Sequence, residues 1–258
     1  MIGFIDFNKL LGLPVLASEH GADVDKFIIY VHWLMAALFV GWLGYFAYTL
    51  WRFRQSRNTT ADYAGVKSHA SSYIEGAVAL IEAVLLIGFA IPLWAKVVDE
   101  YPSPADSTVV RVTAEQFSWN SRYPGVDGQF GTQDIKFLDP SNKFAYDPND
   151  PAGKDDVTPP LKDIRVPVDK PVLIELTSLD VIHSLAIKPM RVCQDAIPGM
   201  RIPVHFTPTK VGRYLITCAQ LCGNGHYSMN GYLTVETPED YQAWLNQHAA
   251  AAPAASFE

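Results

Sequence analysis

Cys218-Ala-Gln-Leu-Cys222-Gly-Asn-Gly-His226-Tyr-Ser-Met229 lies between Tyr214–Thr217 and Tyr232–Val235. Both flanking runs are short, β-branched and aromatic, which predicts two strands joined by a donor-bearing loop. Two thiols, an imidazole and a thioether within twelve residues form a soft ligand set, and soft sulfur with imidazole selects copper. Four readings compete on these residues alone. One is a Cys218–Cys222 disulfide in an oxidising compartment. A second is a tetrahedral zinc site using both cysteines, His226 and a distant histidine. A third is a copper-delivery site using the Cys-x3-Cys pair and a distant histidine. The last is an electron-transfer copper site that also uses Met229. A thioether is a poor zinc ligand, which argues against the second. A mononuclear blue site needs one thiolate, and two thiolates bridging two coppers account for the surplus.

Outward from this loop the pattern stays β. Val109–Val112, Ile164–Val168 and Val172–Leu176 are further short runs bounded by Gly, Pro, Asp and Asn, a spacing that fits a sandwich or barrel. Residues 124–162 are rich in Asp, Pro, Gly, Asn and Lys and read as a long loop. Pro238-Glu239-Asp240 opens a helix to about His248, with acids where the helix dipole favours them. The β domain is expected over 96–250, with 251–258 as a flexible tail.

Charged residues are 18% of the 258-residue chain, against roughly 25% in soluble domains, and the deficit falls mostly in the first hundred residues. The net charge of -7 excludes a nucleic-acid-binding chain. Three cysteines exclude a disulfide scaffold. Phe27–Trp51 carries no Lys, Arg, Asp or Glu, and 25 helical residues reach roughly 37 Å, enough to cross a bilayer with some tilt. Tyr73–Ala95 is a second span interrupted by Glu75 and Glu82. Seven residues apart, these acids share one helical face, which suggests docking against another membrane subunit. The expectation is a transmembrane hairpin over 27–95, preceded by an outside tail over 1–26. The connecting loop holds Arg52, Arg54, Arg57 and Lys67 against Asp62, whereas the first 26 residues hold Asp6, Glu19, Asp23 and Asp25 against Lys9 and Lys26. The positive-inside rule then puts residues 52–72 in the cytoplasm and both termini outside. Residues 96–258 hold 14 Lys+Arg and 20 Asp+Glu, so the acidity belongs to the outside domain.

The loop resembles the binuclear copper A loop of subunit II of haem–copper cytochrome c oxidases, Cys-x-Glu-x-Cys-Gly-x-x-His-x-x-Met. Two further blocks carry the resemblance: Asp180-Val-Ile-His183-Ser with Asp195-Ala-Ile-Pro-Gly199, and Gln116-Phe-Ser-Trp119 with Tyr123-Pro124. It covers about residues 27–245. It implies a two-helix anchor followed by a cupredoxin-like Greek-key domain in a bacterial inner membrane, with the copper domain and both termini periplasmic. It implies two copper ions held by His183, Cys218, the backbone carbonyl of Gln220, Cys222, His226 and Met229. Electrons would enter near Phe117 and Trp119 from a haem c donor, either soluble cytochrome c or the haem c domain of a neighbouring complex such as alternative complex III. Asp180 and Asp195 would help dock that donor. The electrons would pass to haem in subunit I, where oxygen becomes water with proton translocation, so no catalytic residue lies on this chain. Glu75 would stand at a proton-path entrance of subunit I.

Three departures from the family pattern bear on these expectations. Gln220 replaces a Glu whose carboxylate binds magnesium or manganese at subunit I, and a neutral amide is a weaker ligand for a hard cation. Phe117 replaces the usual Trp, and Leu179 replaces an acid, both where the donor would dock. Cys193 reads as a bystander thiol, His205 as a structural residue within the strand-like Val204-His205-Phe206, and His32 as a helix–helix hydrogen bonder. A copper-A nitric oxide reductase subunit and a membrane-anchored copper chaperone are the competing functions.

Overall fold

The computed structural model describes residues 7–61, 63–65, 67–160 and 162–250. Asp6, Asp62 and the tail at 251–258 lie outside them. Two compact units emerge: a helical one with Asp23–Glu100, and a β unit with Gly12–Ala22 and Tyr101 onward.

In the helical unit, a short turn α1 (Phe7–Leu10) precedes α2 (Gly21–Arg52). The second long helix is built from α3 (Ala70–Leu85), a π turn at Leu86–Ala90, and α4 (Ile91–Val98). Both helices outrun the expected spans 27–51 and 73–95, because the uncharged run marks the hydrocarbon limit while backbone hydrogen bonding continues through Asp23, Lys26 and Lys96. Pro92 accounts for the π turn. Without an N–H it cannot bond the Gly88 carbonyl, and Ile91 N–H bonds five residues back to Leu86. Tyr30 meets Phe89 edge-on at 5.6 Å across the pair. Both helices are long and apolar enough to cross a membrane and bury none of that apolar window within the chain, as befits a membrane-anchored subunit.

The β unit is an all-β, cupredoxin-like sandwich. Its strands are β1 (Thr108–Glu115), β2 (Ser118–Arg122), β3 (Asp163–Pro167), β4 (Val172–Ser178), β5 (His183–Ile187), β6 (Val192–Ala196), β7 (Ile202–Phe206), β8 (Gly212–Cys218) and β9 (Asn230–Glu236). One sheet runs β2-β1-β4-β7 and the other β3-β9-β8-β5-β6. The pairs β1·β4 and β3·β9 are parallel, so the chain crosses between the two sheets rather than running through hairpins alone. Val110, Val112, Ile174 and Leu176 from one sheet meet Leu185, Ile187, Ile216 and Leu233 from the other in a closed core. The α5 helix (Pro238–Ala250) lays Tyr241, Trp244 and Leu245 on this core.

One segment departs from expectation, and the expected long loop is held in an unexpected way. Residues 12–22, read as part of a tail, strap onto the β unit. Ala17 N–H donates to the Pro189 carbonyl and its own carbonyl accepts from Thr209 N–H. Ser18 Oγ donates to the Met190 carbonyl, 2.6 Å away. The long loop 124–162 is tied down by charge. Arg122 forms a buried ion pair with Asp156 and stacks 3.9 Å above the Tyr146 ring, while Gly131 N–H also donates to Asp156. That pairing explains why β2, whose Ser-Trp-Asn-Ser-Arg sequence looks too polar for a strand, is wholly buried. Asn120 donates to the Thr113 carbonyl and Ser121 to the Asp163 carbonyl, so these two side chains stay hydrogen-bonded away from water.

Candidate metal centre

The donor loop closes where Thr217 of β8 pairs with Asn230 of β9. Cys218 N–H donates to the Met229 carbonyl, and Ala219 N–H to the Ser184 carbonyl of β5, which stitches the loop to the strand that begins at His183. A short 3₁₀ turn at His226–Ser228 puts His226 and Met229 three residues apart on one side. Gly225 is glycine for a packing reason: a Cβ there would lie 2.4 Å from the Phe117 ring. Gln116 Nε2 donates to the Cys222 carbonyl at 2.7 Å. The β1–β2 turn therefore clamps the loop from outside.

All six expected donors converge. Cys218 Sγ lies 3.7 Å from Cys222 Sγ and 3.1 Å from the Gln220 carbonyl oxygen. His183 Nδ1 lies 3.1 Å from Met229 Sδ and 4.0 Å from Cys218 Sγ. His226 Nδ1 lies 3.5 Å from Cys222 Sγ, and Met229 Sδ lies 3.7 Å from the same sulfur. The two sulfurs are too far apart for a disulfide, and both cysteines are free. Among the described residues, His183, Cys218 and Cys222 form a buried group that could hold a metal ion. Two free thiols 3.7 Å apart could both hold a metal ion. The soft donor chemistry and the spacing fit copper.

The surroundings prepare the ligands. Asp180 accepts from His183 Nε2 at 2.8 Å, and from the N–H groups of Gln116 and Val181 at 2.7 Å each. Because Nε2 carries that hydrogen, the Nδ1 lone pair faces the sulfurs. Burial raises the Asp180 carboxyl, and the hydrogen bonds from His183, Gln116 and Val181 outweigh it, holding the acid below its ordinary value. Burial and the adjacent Cys218 push the Cys222 thiol up to about 11, so metal binding displaces a proton there. His183 is fully buried and Met229 is 1% exposed, which keeps the site dry.

The other expected residues fall as follows. Trp119 is buried and meets His183 edge-on at 6.3 Å. Phe117 is half-buried over the donor loop and, of the two aromatics, is the one with open surface. Asp180 contacts a donor, whereas Asp195 is exposed on β6 opposite Ser184. Cys193 is exposed, with Sγ 3.6 Å from Ser184 Oγ, outside the donor group. His205 faces the Tyr101 ring at 5.1 Å. His32 Nδ1 bonds the Ile28 carbonyl of its own helix. Glu75 is exposed on α3. The holding roles of Asp180 and Gln116 were not anticipated, although the Asp-x-x-His spacing carries the first of them. Leu221, Tyr227, Val181 and Ile182 are exposed beside the donors.

Comparison with known proteins agrees with this geometry. The family described as "Cytochrome C oxidase subunit II, periplasmic domain" matches residues 155–236. The alternative cytochrome c oxidase subunit 2 of Bradyrhizobium diazoefficiens is 32% identical over 225 residues, covering 87% of this chain and 79% of that protein. Cytochrome c oxidase subunit 2 of Cereibacter sphaeroides is 26% identical over 256 residues, covering 91% and 77% respectively. The crystal structure of the periplasmic domain of subunit II of cytochrome oxidase from Bradyrhizobium japonicum aligns at 24% identity and a TM-score of 0.43, covering 59% of this chain and 99% of that one. On the identity and coverage of the Bradyrhizobium diazoefficiens relative, this chain belongs to the cytochrome c oxidase subunit II family.

Proposed function

We propose that this chain takes electrons from a haem c donor and passes them to haem in subunit I of a terminal haem–copper oxidase, where oxygen is reduced to water with proton translocation. The convergence of two thiols, two Nδ1 atoms, a thioether and a backbone carbonyl carries the reading. These donors divide into two sets that share the sulfurs. His183 and Met229 lie together beside Cys218 and Cys222, while His226 approaches Cys222 and the Gln220 carbonyl approaches Cys218. Copper held there would draw on both thiols, on the His183 and His226 imidazoles and on the Met229 and Gln220 donors, and would supply a one-electron carrier.

The chain's own residues do the rest. Asp180 fixes the His183 ring, and Gln116 with Phe117 holds the donor loop, so little has to move when charge changes. The closed core keeps water out. Exposed Leu221, Tyr227 and Ile182 give the rim an apolar surface suited to a protein partner. Phe117 lies beneath that rim as the route of electron entrance, with Trp119 behind it against His183. Leu179, standing where the family has an acid, makes the docking surface less acidic, and Phe117 changes its aromatic edge, which together favour a haem c domain held in a neighbouring complex over a freely diffusing basic cytochrome. The helical hairpin anchors the chain beside subunit I and other oxidase subunits, with the β unit on the periplasmic side. Burial of both thiols speaks against a chaperone, which must hand its copper on.

The test is to load the full chain with copper in detergent and record its spectrum. A purple, mixed-valence binuclear signal is expected. A colourless zinc protein or a Cys218–Cys222 disulfide overturns the proposal. Gln220 offers a neutral amide where a hard cation wants a carboxylate, so magnesium or manganese should be substoichiometric in the assembled oxidase. Gln220→Ala should leave copper content unchanged, because the donor is the backbone carbonyl. Stoichiometric magnesium lost on that substitution would refute the weak hard-cation site.

A further inference from the structure

We infer that the end of the helical hairpin carrying Lys26 and Lys96 holds one glycerophospholipid with a net-negative headgroup. This rests on the membrane reading of the hairpin. A cleft of about 260 Å³ opens there between α2 and the second helix, walled by Phe27, Tyr30, Phe89 and Leu93, with both lysines at its edge. One carboxylate answers both ammoniums: Asp23 lies 3.3 Å from Lys26 Nζ and 3.7 Å from Lys96 Nζ. All three side chains are about half exposed or more, so the pairs are weak and readily exchanged. Two cations facing one anion leave one positive charge unanswered in the lining.

Local sequence explains why the cleft exists. The π turn at Leu86–Ala90, imposed by Pro92, displaces the second helix from regular geometry. Gly88 contributes no side chain, and a Cβ there would meet nothing within 4 Å. Lys26 immediately precedes the uncharged run that starts at Phe27, and Lys96 immediately follows the one that ends at Ala95. Both ammoniums therefore stand at the boundary between hydrocarbon and headgroups. Asp25, beside Lys26 in sequence, is buried and does not line the cleft, and Asp99 and Glu100 follow the helix end. An amphiphile matches this arrangement, with an acyl chain along the aromatic walls and a phosphodiester between the ammoniums. A free anion would leave the walls uncovered, and a zwitterionic lipid would bring its own cation to a site that already has a surplus. The chemistry selects a headgroup without an amine, as in phosphatidylglycerol.

The full chain in detergent is titrated with dioleoylphosphatidylglycerol, dioleoylphosphatidylcholine or inorganic phosphate and read by native mass spectrometry. One phosphatidylglycerol should be retained in preference to phosphatidylcholine. Each of Lys26→Gln and Lys96→Gln should weaken it roughly fivefold, as expected for one lysine near an anionic lipid. Lys67→Gln, at the other end of the hairpin, should leave it unchanged. Equal retention of both lipids, indifference to the two lysines, or displacement by phosphate overturns the site. Extraction of vesicle-bound chain with alkaline carbonate reports separately on the membrane reading. Release overturns that reading together with the site, whereas retention without lysine dependence overturns the site alone.

Discussion

Asp180 shows how much of the metal centre depends on a residue that holds no metal. Its carboxylate takes hydrogen bonds from His183 Nε2, Gln116 N–H and Val181 N–H at once, so it sets the histidine's tautomer and ties the β1–β2 turn to the same point. Partners of this kind cost about 10–100-fold in metal affinity when lost. Asp180→Ala should therefore weaken copper binding by about that factor in chelator competition, with the far-ultraviolet dichroism unchanged, whereas Asp195→Ala should leave it untouched. The donors themselves were legible as residues, because two cysteines, a histidine and a methionine at fixed spacing describe one loop. His183 was legible only through a resemblance, since nothing local says that a histidine 35 residues upstream reaches the same point. Asp180 was read as a docking acid because sequence shows charge and spacing but not which atom a carboxylate faces.

At the level of elements, β1, β3, β4, β8 and β9 declared themselves, whereas β5, β6 and polar β2 did not. The burial of β2 rests on partners distant in sequence, above all Arg122 with Asp156. Removing one member of a buried ion pair leaves an uncompensated charge and costs about 3–5 kcal/mol. Arg122→Ala should lower the urea midpoint of the β unit accordingly and speed hydrogen exchange across residues 124–162, while the exposed pair Lys136–Asp134 should be dispensable. The α5 helix makes a different demand. Burial raises the Tyr241 phenol well above its ordinary value, with Glu236 adding to it, and burial raises Tyr123 likewise. A folded-state value above the unfolded one means that the neutral phenol favours folding. That stability is fully present below about pH 10, the ordinary phenol value, and declines as pH rises towards the folded-state value. Tyr241→Phe should therefore flatten the fall of the urea midpoint above pH 10, and an unchanged alkaline profile would show that Tyr241 contributes nothing to it.

Taken whole, the molecule joins two helices that cover almost none of their apolar surface to a β unit with a closed core and an exposed apolar rim beside the donors. The helices need lipid and protein to complete them, and their polar residues are therefore the informative ones. The first helix was visible from charge alone, because a run without Lys, Arg, Asp or Glu is a direct statement about solvent, and the second was legible from its apolar length despite Glu75 and Glu82. The strap at 12–22 was not, since Ala17 and Ser18 are ordinary residues whose burial depends on the turns at Pro189 and Thr207–Thr209. Glu75 and Glu82 share one face of α3 and are both exposed on this chain alone. A carboxylate facing hydrocarbon is costly, so in the assembled oxidase that face meets protein or water. Glu75 is nearer the start of α3 and so nearer the headgroup region, where it can exchange protons with bulk water. Glu82 lies two turns deeper, where a carboxylate is costly unless a protein neighbour packs against it. If Glu75 feeds protons to subunit I, Glu75→Gln in the assembled oxidase should slow both turnover and proton uptake while copper content and haem spectra stay as they were. Glu82→Gln should change neither rate. Unchanged turnover and proton uptake in Glu75→Gln would remove Glu75 from the proton path and leave it an interfacial carboxylate.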